Sequence, residues 1–300
     1  MQNIVLRKGD EIIGVSPAFM ISLFSDGFTL DQVREGLRLL HSWGFRAMQL
    51  EIYHRDKFSE WNREAIKRIN SDVEETGMSV SAFVAHFLLD TFSSGKNLSS
   101  DEGLGDWEAL LDRLDFFSFA FPVALPLGPF LDRKHVTPEL VRLFISKLER
   151  FSELAGQHNR ILALEILPES IFSLFFHELG YVPAEIAELD VHLLFDTGHH
   201  FFADTMTTRI LQWFEGRIAA LHLCDNSGLE NYSDVPGKGN ITWSNVMDAL
   251  AFYGYAGSYD LEIICPSEKV KEYYEQGRRF IRNQLQQRNS YGRVHEERIS

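Results

Sequence analysis

Four short stretches in the second half of the chain decide its fold. They read Ile161-Leu-Ala-Leu-Glu165-Ile166, His192-Leu-Leu-Phe-Asp196-Thr-Gly-His199, Ile218-Ala-Ala-Leu-His222-Leu-Cys-Asp225 and Tyr259-Asp-Leu-Glu262-Ile-Ile264. Each is an apolar run of strand length, with the composition of a strand buried on both faces, as in a parallel sheet. Each also carries a carboxylate or an imidazole near its C-terminal end, in the order Glu165, Asp196, His222, Glu262. In a parallel barrel those ends meet on one face, where neighbouring side chains can surround one ion. One polar residue in an apolar run means little. Four in succession mean a site.

The rest of the chain supplies the strands and helices that such a barrel needs. Glu11–Ser16, Ala47–Tyr53 and Ser79–Phe87 read as the first three strands, and Val123–Leu127 as a fourth despite Pro126 within it. Thr29-Leu-Asp-Gln32 has the capping-box pattern, and Leu30, Val33, Leu37 and Leu40 mark the apolar face of the helix it starts. Helices are also expected from about Trp61 to Glu75, Trp107 to Phe119, after the cap-and-proline pair Thr137-Pro138, and near 171–179, 208–214 and 243–252. A last amphipathic helix spans roughly Ser267 to Gln287, followed by a polar, frayed tail from about Asn289. Residues 93–105 read as a long loop. No linker interrupts the alternation, so the expectation is a single (β/α)8 TIM barrel over residues 1–300.

Composition narrows the function. The 300 residues are 45% hydrophobic with 24 phenylalanines, ample for one large core. A formal net charge of −14 gives no basic footprint for nucleic acid, although it leaves room for a local basic groove. Cys224 and Cys265 are too few for a disulfide framework, which suits a reducing compartment. The first ten residues lack the apolar stretch of a signal peptide, and no apolar run is long enough to span a membrane. The chain reads as soluble and cytoplasmic.

Three carboxylates and one imidazole form a mainly hard, oxygen-rich donor set. It suits Mn²⁺ first, then Mg²⁺ or Co²⁺, while Zn²⁺ usually brings more nitrogen or sulfur. An open-sided ion can clamp neighbouring oxygens of a hydroxy-ketone and stabilise an enediolate. Proton transfer at the adjacent carbon then needs an acid and a base, and Glu165 and Glu262, from the first and last strands of the set, could flank the substrate. His199, Glu51 and His86 are further candidates to touch substrate at the barrel mouth, each against a structural alternative. Asp225, three residues after His222, is placed either to orient its loop or to contact substrate.

These four strand ends, with Val235-Pro-Gly-Lys-Gly-Asn-Ile-Thr-Trp243 between the last two, resemble the xylose-isomerase-like barrel superfamily. That group includes tagatose 3-epimerase-type sugar isomerases and epimerases, hydroxypyruvate isomerase, inosose dehydratase and endonuclease IV. The resemblance implies that Glu165 and Glu262 bind the metal and shuttle the proton, that Asp196 and His222 are ligands only, and that His199 contacts a substrate oxygen. It implies a small carbohydrate substrate and dimers or tetramers. The three-zinc nuclease pattern is not met: Asn231-Tyr-Ser233 stands where endonuclease IV has Asp-x-His, and Leu125-Pro-Leu-Gly128-Pro129 brings no histidine after the fourth strand. The epimerase pattern departs too, with Ser233 in place of a substrate-binding arginine and Leu167-Pro-Glu-Ser170 where an asparagine and polar residues follow the first glutamate. The expected function is a metal-dependent isomerase or epimerase, with an inosose-type dehydratase, an endonuclease IV-like phosphodiester hydrolase and an inactive sugar-binding barrel as alternatives.

Overall fold

The computed structural model describes residues 11–132, 135–179, 183–202 and 207–296. Its strands are β1 (Ile13–Val15), β2 (Ala47–Glu51), β3 (Ser79–Val84), β4 (Val123–Leu127), β5 (Leu162–Ile166), β6 (Val191–Asp196), β7 (Ile218–His222) and β8 (Tyr259–Leu261). All neighbours pair in parallel, in the order β7-β6-β5-β4-β3-β2-β1-β8. Leu223 closes the ring beyond β7: its N–H donates to Asp260 O at 2.8 Å, and its carbonyl accepts from Glu262 N at 3.0 Å. The expected (β/α)8 barrel is what forms.

Sequence-level signals account for the helix starts. Gln32 N donates to Thr29 Oγ1 while Thr29 N donates to Gln32 Oε1 at 2.8 Å, a complete capping box. Thr137 caps Pro138–Gln157 by accepting from Leu140 N at 3.1 Å. Pro126 is tolerated within β4 because the ladder to β3 ends at Ala124, two residues earlier. The barrel interior is lined with small side chains, Ala82, Ala124, Ala163 and Ala220 with Val84 and Leu194, while the phenylalanines pack between strands and helices.

Several boundaries differ from the sequence reading. A helix at Ala18–Phe24 follows β1 directly, and 3₁₀ turns occupy Arg55–Glu60 and His86–Phe92. The 93–105 loop contains a helical turn at Gly95–Leu98, capped by Ser94. The helix expected over 107–119 runs from Leu104 to Leu114, because Phe117, Phe119 and Phe121 turn inward onto one another instead. The last helix, Val270–Glu296, continues through the start of the expected tail, in a stretch rich in Arg, Gln and Glu that favours helix. Residues 1–10 and 297–300 lie outside the described part. Among the described residues no helix is long and apolar enough to cross a membrane.

Candidate metal centre

Parallel strands put their C-terminal ends on one rim, and the register there sets the cluster. Asp196 lies directly beside His222 across β6 and β7, and Glu165 pairs with Leu194, two residues before Asp196. Glu262 follows β8 immediately. One ligand atom from each of Glu165, Asp196, His222 and Glu262 lies within 4.8 Å of all the others. Atoms bound to one ion at about 2.1 Å stand about 3 to about 4.2 Å apart, so these side chains need only small adjustments to share one.

His222 Nδ1 is the hub, 2.7 Å from Glu262 Oε2, 3.1 Å from Glu165 Oε1 and 3.8 Å from Asp196 Oδ2. Burial alone would lower its pKa, but the two glutamates raise it well above the ordinary imidazole value. Burial opposes ionisation of Glu262, yet the charge and hydrogen bond of His222 hold it at about 2. Burial pushes the Asp196 carboxyl up to about 6, against the pull of His199. Asp196 Oδ1 accepts from His199 N at 2.7 Å, whereas its Oδ2 is buried with no hydrogen-bond partner. A buried carboxylate oxygen left unpaired is costly, and a cation shared with its neighbours would satisfy it. Three oxygens and one nitrogen fit a divalent ion.

The chain matches the family model of the xylose isomerase-like TIM barrel over residues 37–284. It belongs to that family. Inosose dehydratases of Salmonella typhimurium and Salmonella agona are each 28% identical over 169 residues, 47% of this chain and 52% of theirs. The chain thus spans about half the length of these curated relatives. Among solved structures, L-ribulose 3-epimerase superposes with a TM-score of 0.71 at 18% identity, covering 94% of this chain and 97% of that one. The IolI protein with a bound zinc atom gives 0.69 at 15% identity, over 92% and 98%. The 3-keto-D-glucoside 4-epimerase YcjR of E. coli gives 0.62 at 15%, over 89% and 99%.

In this xylose isomerase-like barrel the cluster opens into a cavity of about 160 Å³. Glu165, His222 and Glu262 line it with His199, Glu51 and His86, so three of the four expected substrate contacts come together there. His199 Nδ1 is buried and unpaired, 3.6 Å from Asp196 Oδ2. Glu51 Oε2 is buried without a partner as well. Burial, reinforced by Glu165 and Glu262, pushes its carboxyl well above the usual range. His86 stacks on Tyr53, ring centroids 4.0 Å apart and planes 10° from parallel, and burial lowers its pKa. Pro17, Ala18, Ile21, Leu167 and Ile264 complete an apolar wall.

Asp225 is the expected contact that does not reach the cavity. Its buried carboxylate accepts from Asn226 N, Gly237 N, Ile241 N and the Trp243 indole N–H, at 3.0, 2.8, 3.2 and 2.7 Å. That clamp holds the Pro236–Gly239 turn, where a Cβ on Gly239 would stand 2.2 Å from Asn226 O. Of its two expected roles, Asp225 takes the loop-orienting one. His200 is a core residue, stacked on Phe195 and held neutral by burial, its pKa lowered to about 3. Ser233, at the arginine position of the epimerases, donates to Glu262 Oε1 at 3.4 Å.

Two residues of the site went unread in the sequence. In the sequence Tyr53 reads only as a strand end, and nothing singles out Gln49 within the Ala47–Tyr53 run. The period of two carried the signal for Gln49: it shares the inner face of β2 with Glu51.

Proposed function

We propose that the chain is a divalent-metal-dependent isomerase or epimerase acting on a small sugar or hydroxy-ketone. The observation that carries this reading is the convergence of Glu165, Asp196, His222 and Glu262 beside a cavity, with the Asp196 Oδ2 atom buried and unpaired. Glu165, Asp196, His222 and Glu262 would hold the ion, with Mn²⁺ as the expected metal. When bound, it supplies the positive charge that steadies negative charge developing on two neighbouring substrate oxygens.

Glu165 and Glu262 enter the cavity from strands on opposite sides of His222, so their carboxylates flank a substrate placed against the cluster. One takes the proton from the carbon beside the carbonyl and the other returns a proton on the opposite face. Glu51, whose buried carboxyl is pushed well above the usual range, would donate a hydrogen bond to a substrate hydroxyl or carbonyl. His199 presents Nδ1 to a further oxygen. The Tyr53–His86 stack and the apolar wall cover the carbon skeleton and exclude water.

A second reading, an inosose-type dehydratase, is favoured by the 28% identity to the Salmonella inosose dehydratases over 169 residues. The same base would remove a proton and water would leave from the adjacent carbon. Phosphodiester hydrolysis has less support. Among the described residues no lysine or arginine lines the cavity to meet a phosphate.

The test is metal analysis of purified protein, followed by incubation with a panel of ketoses and inososes in heavy water. About one divalent ion per chain, lost in Glu165→Gln and His222→Ala, with solvent deuterium appearing in a product of unchanged composition, supports the isomerase. A product lacking one water supports the dehydratase. Three zinc ions per chain would revive the nuclease. Metal and sugar binding with no exchange of any C–H proton would leave an inactive sugar-binding barrel, and no bound ion would remove the mechanism altogether.

A further inference from the structure

Beneath the ligand cluster lies a second polar assembly, sealed inside the barrel. Gln49 and Asp260 are both fully buried there. Asp260 Oδ2 accepts from Gln49 Nε2 at 2.9 Å, from Ser81 Oγ at 2.7 Å and from Ser258 Oγ at 2.9 Å. Gln49 Nε2 donates a second bond to Leu221 O at 3.1 Å. Its Oε1 stands 2.9 Å from His222 Nε2.

We infer that Gln49 is a positioning residue that fixes which ring nitrogen of His222 faces the ligand cluster, and that Asp260 fixes Gln49 in turn. The argument is one of donors and acceptors. Leu221 O can only accept, and Asp260 Oδ2 already takes two serine hydroxyls. The atom of the Gln49 amide between them is therefore the NH₂, since a flipped amide would set its oxygen against both. The amide oxygen is left facing His222 Nε2. That oxygen can only accept, so Nε2 carries a proton. When Nδ1 gives up its proton, as binding a metal requires, the lone pair is on that atom, 2.7 Å from Glu262 and 3.1 Å from Glu165. Metal-bound histidines generally have their outer N–H held by a carboxylate, carbonyl or water that sets ring and tautomer. Here an uncharged amide does so, and a buried carboxylate one step further in sets the amide.

Besides Asp260 of β8 and Leu221 of β7, the assembly draws on strands that hold no candidate ligand. Gln49 comes from β2, Ser81 from β3, and β1 makes room: a Cβ on Gly14 would stand 2.1 Å from Asp260 Oδ1. Any side chain at residue 14 would displace Asp260 and release the amide.

The inference rests on the metal reading for its consequence but not for its test. The probe is ¹⁵N-histidine-labelled protein, observed by long-range ¹H–¹⁵N NMR without metal and with Zn²⁺ alone. The expected result is a protonated, slowly exchanging His222 Nε2 in both states, with Zn²⁺ on Nδ1. Gln49→Met should abolish the slow exchange of the His222 Nε2 proton in both states and weaken Zn²⁺ binding about 10- to 100-fold. An unprotonated Nε2 in wild-type protein overturns the inference without any variant. So does a Gln49→Met protein with unchanged ring signals and Zn²⁺ affinity. Wild-type protein that binds no metal sinks the proposed function instead, and the metal-free spectrum still decides the role of Gln49.

Discussion

Each glutamate of the candidate site is asked to do something different. Glu165 and Glu262 are proposed to move protons, so Glu165→Gln and Glu262→Gln should each lower the rate of C–H exchange by about 10²-fold or more, read by deuterium incorporation. Glu51 is proposed only to donate a hydrogen bond. Glu51→Gln, which keeps a donor of similar reach, should leave kcat and KM close to wild type, whereas Glu51→Ala should raise KM by roughly tenfold, the cost of one buried hydrogen bond. Full loss of exchange in Glu51→Gln would show that the carboxyl itself takes part in proton transfer. His200 gives a pH signature for stability. Its folded pKa, lowered to about 3, lies below the unfolded value near 6.5. Between those values the unfolded chain binds the extra proton, so stability rises with pH and falls as acid is added. The slope from this residue alone is about 1.4 kcal/mol per pH unit across that window. Urea titrations at pH 7, 6, 5 and 4 should show it, and His200→Phe should flatten it.

The elements carry a sharper test of the site's support. Asp225 satisfies four donors of the loop between β7 and the helix at Trp243–Phe252, so Asp225→Ala leaves buried N–H groups without partners. The expected loss is on the order of 3 kcal/mol in urea unfolding. Asp225→Asn should lose less. At this scale the sequence was readable wherever one signal dominated. β3 and β4 start where their apolar runs begin, and the Thr29 and Thr137 caps mark helix starts because hydroxyl and amide are only three residues apart. The Ala18–Phe24 helix escaped because Ala18-Phe-Met-Ile-Ser-Leu-Phe24 is apolar nearly all round, which hides a period of 3.6. The four candidate ligands were visible for the opposite reason: each is a polar residue near the end of an apolar run. Asp225 could be read either as a loop-orienting residue or as a substrate contact, and its four backbone and indole donors appear only in the folded chain. Gln49 and Asp260 could not be joined from the sequence, since 211 residues separate them and their bond exists only once β2 and β8 flank β1.

At the scale of the whole molecule, an ion bound at the rim would tie together four consecutive strands, and folding stability should report it. With free metal 100-fold above Kd, stabilisation is about 2.7 kcal/mol. For a chain of this size that is a rise in Tm of roughly 4 °C, reversed by chelator and absent in His222→Ala. No shift with Mn²⁺, Co²⁺, Mg²⁺ or Zn²⁺ would count against the site.

The division of the rim has a longer consequence. The candidate ion-holding residues come from β5 to β8, while Pro17, Ala18, Ile21, Glu51, Tyr53 and His86 come from β1 to β3 and the segments after them. The barrel is thereby split into a half that would perform the chemistry and a half that, joined by Leu167, His199 and Ile264 from across the cavity, would judge the guest. A descendant could rewrite the judging half, residue by residue, and inherit the working half untouched. Gln49, with Gly14 and Ser81 against Asp260, is the exception, the part of the first half on which the second would depend. Diversification of the recognition half would have to spare those three residues.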